Sequence, residues 1–356
     1  MKNIGASARH VFIDRSRFAT RVRAIRGRRG RSGKAEIAVS PAVEAQGVAK
    51  RYGSLVAVEN LTFAVEAGEV LGVLGPNGAG KTTAIRVLTT IFSPSHGSFA
   101  VAGVPHTRPA EIRRRIGVLP ESDGYPERQT GEEYLRYHAR LYGQTRASAR
   151  TIAGALLEEV GLHDRRRSPI AAYSRGMRQR LGIARTLVNE PDVVFLDEPT
   201  LGLDPAGQRQ ILGNVRRIAR ERGATVLLSS HLLAEVEENC SRVMILNHGR
   251  VIAEGTVAEV AHRAAARRSG RLHVAPDDVG RAIAALTGTR GVETVEGADG
   301  QPGWLTVVFA PDAEDVENRS PSDALRVLLD SGVALLSFEL EGARLSDAFL
   351  AMTAAV

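Results

Sequence analysis

The chain has one cysteine, Cys240, in 356 residues, which excludes an internal disulfide framework. It has no run of eighteen apolar residues and no charged-then-apolar secretory leader, so nothing in it is expected to span a membrane by itself. A membrane role would come through a partner. Sustained heptads and internal repeats are absent as well. What is present, 43% hydrophobic and 24% charged residues, suffices to bury a full core, as one large domain and one small one. Charge is distributed unevenly. Residues 1–40 carry eleven Lys or Arg against Asp14 and Glu36, a balance of +9 within a total of +7, so the remainder sums to −2. That Gly- and Arg-rich extension has little apolar content to fold around and is expected to be a disordered arm.

Residues 75–82 read Gly-Pro-Asn-Gly-Ala-Gly-Lys-Thr, after an apolar run (Val70–Leu74) and at the start of a helical stretch (Thr82–Leu88). Glycines without Cβ let backbone N–H groups wrap phosphate oxygens, and the helix start adds a positive dipole end. In such a loop Lys81 reaches the β and γ phosphates, and the Thr82 hydroxyl is placed to ligate Mg²⁺. The expected ligand is therefore a nucleoside triphosphate with magnesium, bound by Gly75, Asn77, Gly78, Ala79, Gly80, Lys81, Thr82 and Thr83, in a reducing cytosolic setting. A second pattern agrees. Val193–Leu196 is an apolar strand ending in Asp197 and Glu198. An Asp at that strand end holds Mg²⁺ beside the loop hydroxyl, and Glu198 is placed to deprotonate an attacking water as general base.

Around these motifs, alternation predicts strands at Val43–Lys50 and Leu61–Val65 with a turn near Tyr52-Gly53, and further strands at Gly97–Gly103 and Arg115–Pro120. Helical periodicity covers 130–162. Continuous apolar strands at Val193–Leu196 and Ala224–Leu228, each after a helical segment, predict a parallel sheet covered on both faces. Val243–Leu246 and Arg250–Glu254, joined at Asn247-His-Gly249, predict a hairpin. Beyond a basic stretch, the order strand, helix, strand, strand, helix, strand spans residues 271–340, its second helix starting at Pro321 behind a capping Ser320.

Tyr173-Ser-Arg-Gly-Met-Arg-Gln-Arg180 discriminates among phosphate-loop enzymes, because it resembles the signature segment of ABC-type ATPases, usually Leu-Ser-Gly-Gly-Gln. Ser174, Gly176, Gln179 and Arg180 match; Tyr173, Arg175 and Met177 depart, as is common in the drug- and ion-efflux branch. The resemblance runs from about Val43 to Gly255. It implies that Tyr52 stacks on adenine and that Ser174 and Gly176 bind the γ-phosphate of ATP held by the opposite subunit. It also implies that Asp204, in Gly202-Leu-Asp-Pro205, contacts that subunit, and that His231 contacts the γ-phosphate and attacking water. Glu121 stands where the family has Gln; it is expected near ATP and Mg²⁺, although an ionised carboxylate cannot donate a hydrogen bond.

The fold so implied is α/β: an ABC-type P-loop NTPase over residues 41–262, with a parallel core sheet, an antiparallel β subdomain and a helical insert at about 125–178. A small α+β ferredoxin-like domain follows at 268–356. The function implied is an ATP hydrolase, with Glu198, His231 and Lys81 catalytic and Thr82, Asp197 and Glu121 around Mg²⁺. It would work as a head-to-tail dimer with a separate transmembrane permease, at the cytoplasmic face of the membrane. Leu345–Leu350 resembles the terminal helix of drug, sodium and polysaccharide exporters, which favours export. The alternative is a soluble ABC ATPase acting on ribosomes or nucleic acid. One phosphate loop, one cysteine and no heptads leave only the arginine-rich arm for that role, so no nucleic-acid partner is expected. A non-hydrolysing regulatory subunit is opposed by the intact Lys81, Asp197, Glu198 and His231.

Overall fold

The computed structural model describes residues 40–121, 124–264, 268–298, 301–310, 319–341 and 345–354; the basic arm, apart from Ser40, lies outside the described residues. The first part of the chain forms β1 (Val43–Tyr52), β2 (Leu55–Val65), β3 (Val70–Leu74), α1 (Lys81–Leu88), β4 (His96–Val101), β5 (Val104–Pro105), α2 (Pro109–Arg115) and β6 (Ile116–Leu119). Next come α3 (Gly131–Leu141), α4 (Arg146–Glu159), α5 (Arg175–Thr186), β7 (Val193–Asp197), α6 (Pro205–Arg222), β8 (Thr225–Ser230), α7 (Leu233–Asn239), β9 (Arg242–Asn247), β10 (Arg250–Thr256) and α8 (Val257–Ala264).

The central sheet has six strands in the order β10-β9-β3-β8-β7-β6, parallel except for β10, which folds back on β9. Every residue of β3, β7 and β8 is buried, which is why these strands read as unbroken apolar runs rather than alternating ones. Val194 and Leu196 face a core shared with Leu181 and Ile183 of α5 and Ile211 and Val215 of α6. Val193 and Phe195 face the opposite core, with Ile85 and Leu88 of α1 and residues of the antiparallel sheet β2-β1-β4-β5. The helices between β6 and β7 are capped locally. Thr130 and Glu133 form a reciprocal capping box on α3, and Thr145 caps α4, each satisfying amides that have no intrahelical acceptor.

The C-terminal region contains β11 (Arg268–Val274), α9 (Val279–Leu286), β12 (Val292–Gly297), β13 (Trp304–Phe309), α10 (Arg319–Asp330), β14 (Leu335–Glu341) and α11 (Leu345–Ala354). Its sheet runs β12-β13-β11-β14 with every neighbouring pair antiparallel. Leu272, Val274, Leu305 and Val307 pack on Ala282, Leu286 and Leu328. One expectation is corrected here. Helix α10 begins at Arg319, so Ser320 and Pro321 lie in its first turn rather than at its cap; proline is tolerated there because first-turn N–H groups have no intrahelical acceptor. From α11, Leu345, Phe349 and Met352 share a core with Val236 of α7 and Val260 of α8. Cys240 ends α7, where burial pushes its thiol up to about 12, assisted by the Glu235 carboxylate. It is no nucleophile at neutral pH.

Candidate nucleotide site

Parallel strands deliver their following loops to one edge, the C-terminal edge, where α/β sheets take ligands. The register makes this concrete: Leu74 of β3 pairs with Ser230 of β8, and Asp197 of β7 pairs with Ser229. The loop 75–80, the pair Asp197-Glu198 and the sequence Ser229-Ser230-His231 therefore converge, although the loop lies more than a hundred residues from the other two in the chain. Gly80 precedes α1 with φ +102°, and a Cβ placed on it would sit 2.4 Å from the Ala57 carbonyl oxygen. Only glycine combines that dihedral with that approach.

Lys81 is buried, its Nζ donating to the Gly75 carbonyl at 2.7 Å and lying 3.4 Å from Glu198 Oε1. The other Glu198 oxygen is 2.7 Å from His231 Nδ1. Thr82 Oγ1 donates to Asp197 Oδ1 at 3.2 Å, and the Ser229 hydroxyl donates to the same oxygen at 2.7 Å while accepting from the Glu198 amide at 2.9 Å. Glu198 itself has φ +48°, an unfavourable left-handed conformation for a non-glycine residue, of the kind that concentrates at functional sites.

Lys81, Thr82, Glu198 and His231 line a cavity of about 510 Å³. Of the residues singled out from the sequence, Tyr52, Asn77, Gly78, Ala79, Gly80, Lys81, Thr82, Thr83, Glu121, Glu198 and His231 all lie on its wall. Gly75 and Asp197 reach the same place through Lys81 and Thr82. The Tyr52 ring is exposed, set edge-on to Phe92 at 5.8 Å with Lys50 Nζ over it at 5.3 Å. Sequence reasoning missed Leu55, Val56, Ala57, Pro76 and Leu201 on the wall, and Ser229 beneath it. Alternation marked only Leu61–Val65 of β2, which begins at Leu55, and which strand edge closes a cavity is not written in one strand.

Ser174, Gly176 and Asp204 are not in that cavity. They line a second one of about 440 Å³, with Arg175, Gly202 and Leu203. Ser174 caps α5 through the Met177 amide and Asp204 caps α6 through the Gly207 amide. The segment 198–204 joins the two places, since Glu198 and Leu201 line the first cavity and Gly202–Asp204 the second.

Residues 58–201 match a family model described as "ABC transporter". The daunorubicin resistance ATP-binding protein DrrA3 of Streptomyces coeruleorubidus is 37% identical over 313 residues, 88% of this chain and 96% of that protein. The daunorubicin/doxorubicin resistance ATP-binding protein DrrA of Streptomyces peucetius is 44% identical over 220 residues, 62% of this chain and 66% of the relative, just under two thirds of its length. A solved structure described as "Structure of ATP binding subunit of ABC transporter" superposes with a TM-score of 0.57 at 34% identity, over 62% of this chain and 92% of that one.

Proposed function

The chain belongs to the ATP-binding, ATP-hydrolysing family of ABC transporters, and from that premise we propose that it is the motor subunit of an exporter whose permease is a separate polypeptide. Export is supported by relatives named for drug resistance and by the terminal helix α11. Among the described residues no helix is long and apolar enough to cross a membrane. On this proposal the chain works at the cytoplasmic face, docked on a membrane partner. The relatives' names give no support to the ribosome or nucleic-acid alternative.

One observation carries the mechanism: a single chain holds Lys81, Glu198 and His231 in one cavity, with Asp197 bonded to Thr82 of its wall, and Ser174 with Asp204 in another. Two copies arranged head to tail complete two sites, each with the phosphate loop of one copy and the signature helix of the other. Lys81 exchanges the Gly75 carbonyl and Glu198 for β and γ phosphate oxygens. Tyr52 presents a ring face to the adenine. Thr82 Oγ1 and Asp197 Oδ1, hard oxygen donors 3.2 Å apart, suit Mg²⁺, with Glu121 at the cavity wall. When bound, that ion neutralises charge on the β and γ phosphates. Glu198, released from Lys81, takes a proton from the attacking water, and His231 holds the Glu198 carboxylate and reaches the γ-phosphate. ATP favours the closed dimer and ADP does not, which is the differential affinity a conformational cycle needs.

The test is Glu198→Gln. It should leave ATP binding intact, slow hydrolysis on the order of 10²-fold or more, and accumulate an ATP-bound dimer on size exclusion. Undiminished steady-state hydrolysis would refute the assignment.

A further inference from the structure

Glu235, in the first turn of α7, is 6% exposed, and among the described residues no Lys, Arg or His forms a salt bridge with it. Its Oε2 accepts two hydroxyl protons, from Thr200 Oγ1 at 2.8 Å and from Ser230 Oγ at 3.0 Å. Its Oε1 is buried and has no hydrogen-bond partner. A carboxylate kept in that state costs stability that an apolar residue would not. Such an exception calls for a reason other than packing.

The two hydroxyls belong to the two segments that shape the γ-phosphate end of the site. Thr200 lies within 198–204, the segment that begins at Glu198, passes Leu201 in the first cavity and ends at Asp204 in the second. Ser230 directly precedes His231, and its hydroxyl also accepts from the Leu232 amide at 3.0 Å, so it fixes the backbone on both sides of the histidine. That matters because the His231 side chain is 40% exposed; its own packing does not lock it. The helix from which Glu235 reaches is held on two sides. Asn239 Nδ2 donates to the Glu235 carbonyl at 2.7 Å, and α11 packs on α7 through Val236 and through a hydrogen bond donated by the Leu345 amide to the Glu237 carboxylate.

We propose that Glu235 is a positioning residue for hydrolysis, a buried strap that ties the Glu198–Asp204 segment to the His231 turn so that base, histidine and partner-facing loop move as one unit. This rests on the roles of Glu198 and His231 given above.

The test uses the full-length chain, with Glu235→Ala, Glu235→Gln and Thr200→Val. Misplacing reacting groups by an ångström lowers rates by up to about 10²-fold. Glu235→Ala should therefore lower kcat by about 10- to 10²-fold with the KM for ATP within about twofold of wild type. Glu235→Gln, whose amide oxygen still accepts both hydroxyls, should restore most of the loss. Thr200→Val should lower kcat as well, and should add nothing on top of Glu235→Ala. Hydrogen exchange should rise in both 199–204 and 230–233 in Glu235→Ala and stay low in Glu235→Gln. Should Glu235→Ala not fold, the Thr200→Val split and the Glu235→Gln exchange pattern decide alone. A wild-type kcat in Glu235→Ala or Thr200→Val, or a loss confined to melting temperature, overturns the proposal. Its failure is separable from that of the site reading, because the latter fails on Glu198→Gln.

Discussion

Replacing Lys81 with Met should destabilise the nucleotide-free protein as well as abolish ATP binding, and Glu198→Gln should repair the first defect but not the second. Lys81 Nζ and Glu198 Oε1 are 3.4 Å apart with both side chains more than nine-tenths buried. At an effective dielectric near 20 that separation corresponds to roughly 5 kcal/mol of attraction, and removing one member of a buried pair typically costs about 3–5 kcal/mol because the other charge is left behind. His231 stays 2.7 Å from the second carboxylate oxygen, so the expected loss is nearer about 2–3 kcal/mol. At about 2–4 °C per kcal/mol for a domain of this scale, the melting midpoint should fall by roughly 5–10 °C. Neutralising Glu198 removes the stranded charge. The double variant should then regain all but about 1 kcal/mol, the share left by the orphaned Gly75 carbonyl. Thermal melts without nucleotide, with titration of a fluorescent ATP analogue, read both effects. Wild-type melting in Lys81→Met, or strictly additive losses in the double variant, would refute the idea that the loop lysine is held by the base before ATP arrives.

Gly80→Ala should cost about 1–3 kcal/mol from its left-handed dihedral alone, and the 2.4 Å approach to Ala57 should displace the loop; equilibrium dialysis should show ATP affinity down at least about tenfold. Tyr52→Ala should weaken ATP binding by about 1–3 kcal/mol, a magnitude typical of base–aromatic stacking, while Tyr52→Phe, which keeps the ring, should bind as wild type does. The last concerns pH. Burial, and secondarily the Arg185 guanidinium, lower the His138 pKa from 6.5 to about 4, so the unfolded chain binds the extra proton first. Stability is fully present above pH 6.5 and is lost as pH falls toward 4. At 1.36 kcal/mol per unit the shift amounts to about 3 kcal/mol, reduced to about 1–2 kcal/mol because the ring is partly solvated. Urea unfolding of His138→Phe between pH 7 and 4 should show a shallower decline than wild type; an unchanged slope would remove His138 from the account.

How much of this was legible beforehand follows the range of the signal. The phosphate loop and the Val193–Glu198 segment are local patterns, in which glycine spacing and an apolar run ending in carboxylates each state their own chemistry, and the strand, loop and helix they imply are present within a residue of the expected bounds. The parallel sheet was legible because buried strands lose their alternation. Ser229 was not. Its partnership with Asp197 and the Glu198 amide exists only because β8 pairs with β7 in one particular register, and nothing in Leu227–Ser230 alone announces that. The same holds for Ala57, which matters as the carbonyl that Gly80 must pass. The start of α10 was misplaced because a serine before a proline imitates a cap wherever it stands.

The division of the site was legible only through the family resemblance, which assigned Ser174, Gly176 and Asp204 to contacts with an opposite subunit. Ser174 and Asp204 do lie in a different cavity from Lys81, and residues 198–204 run from Glu198 in the first cavity to Asp204 in the second. Seven residues of backbone thus link the two places. Thr200 pins that segment to Glu235, and Glu235 also holds the turn that carries His231. Under the roles proposed above, a contact made at Asp204 by a second copy bears on the position of Glu198 through these bonds.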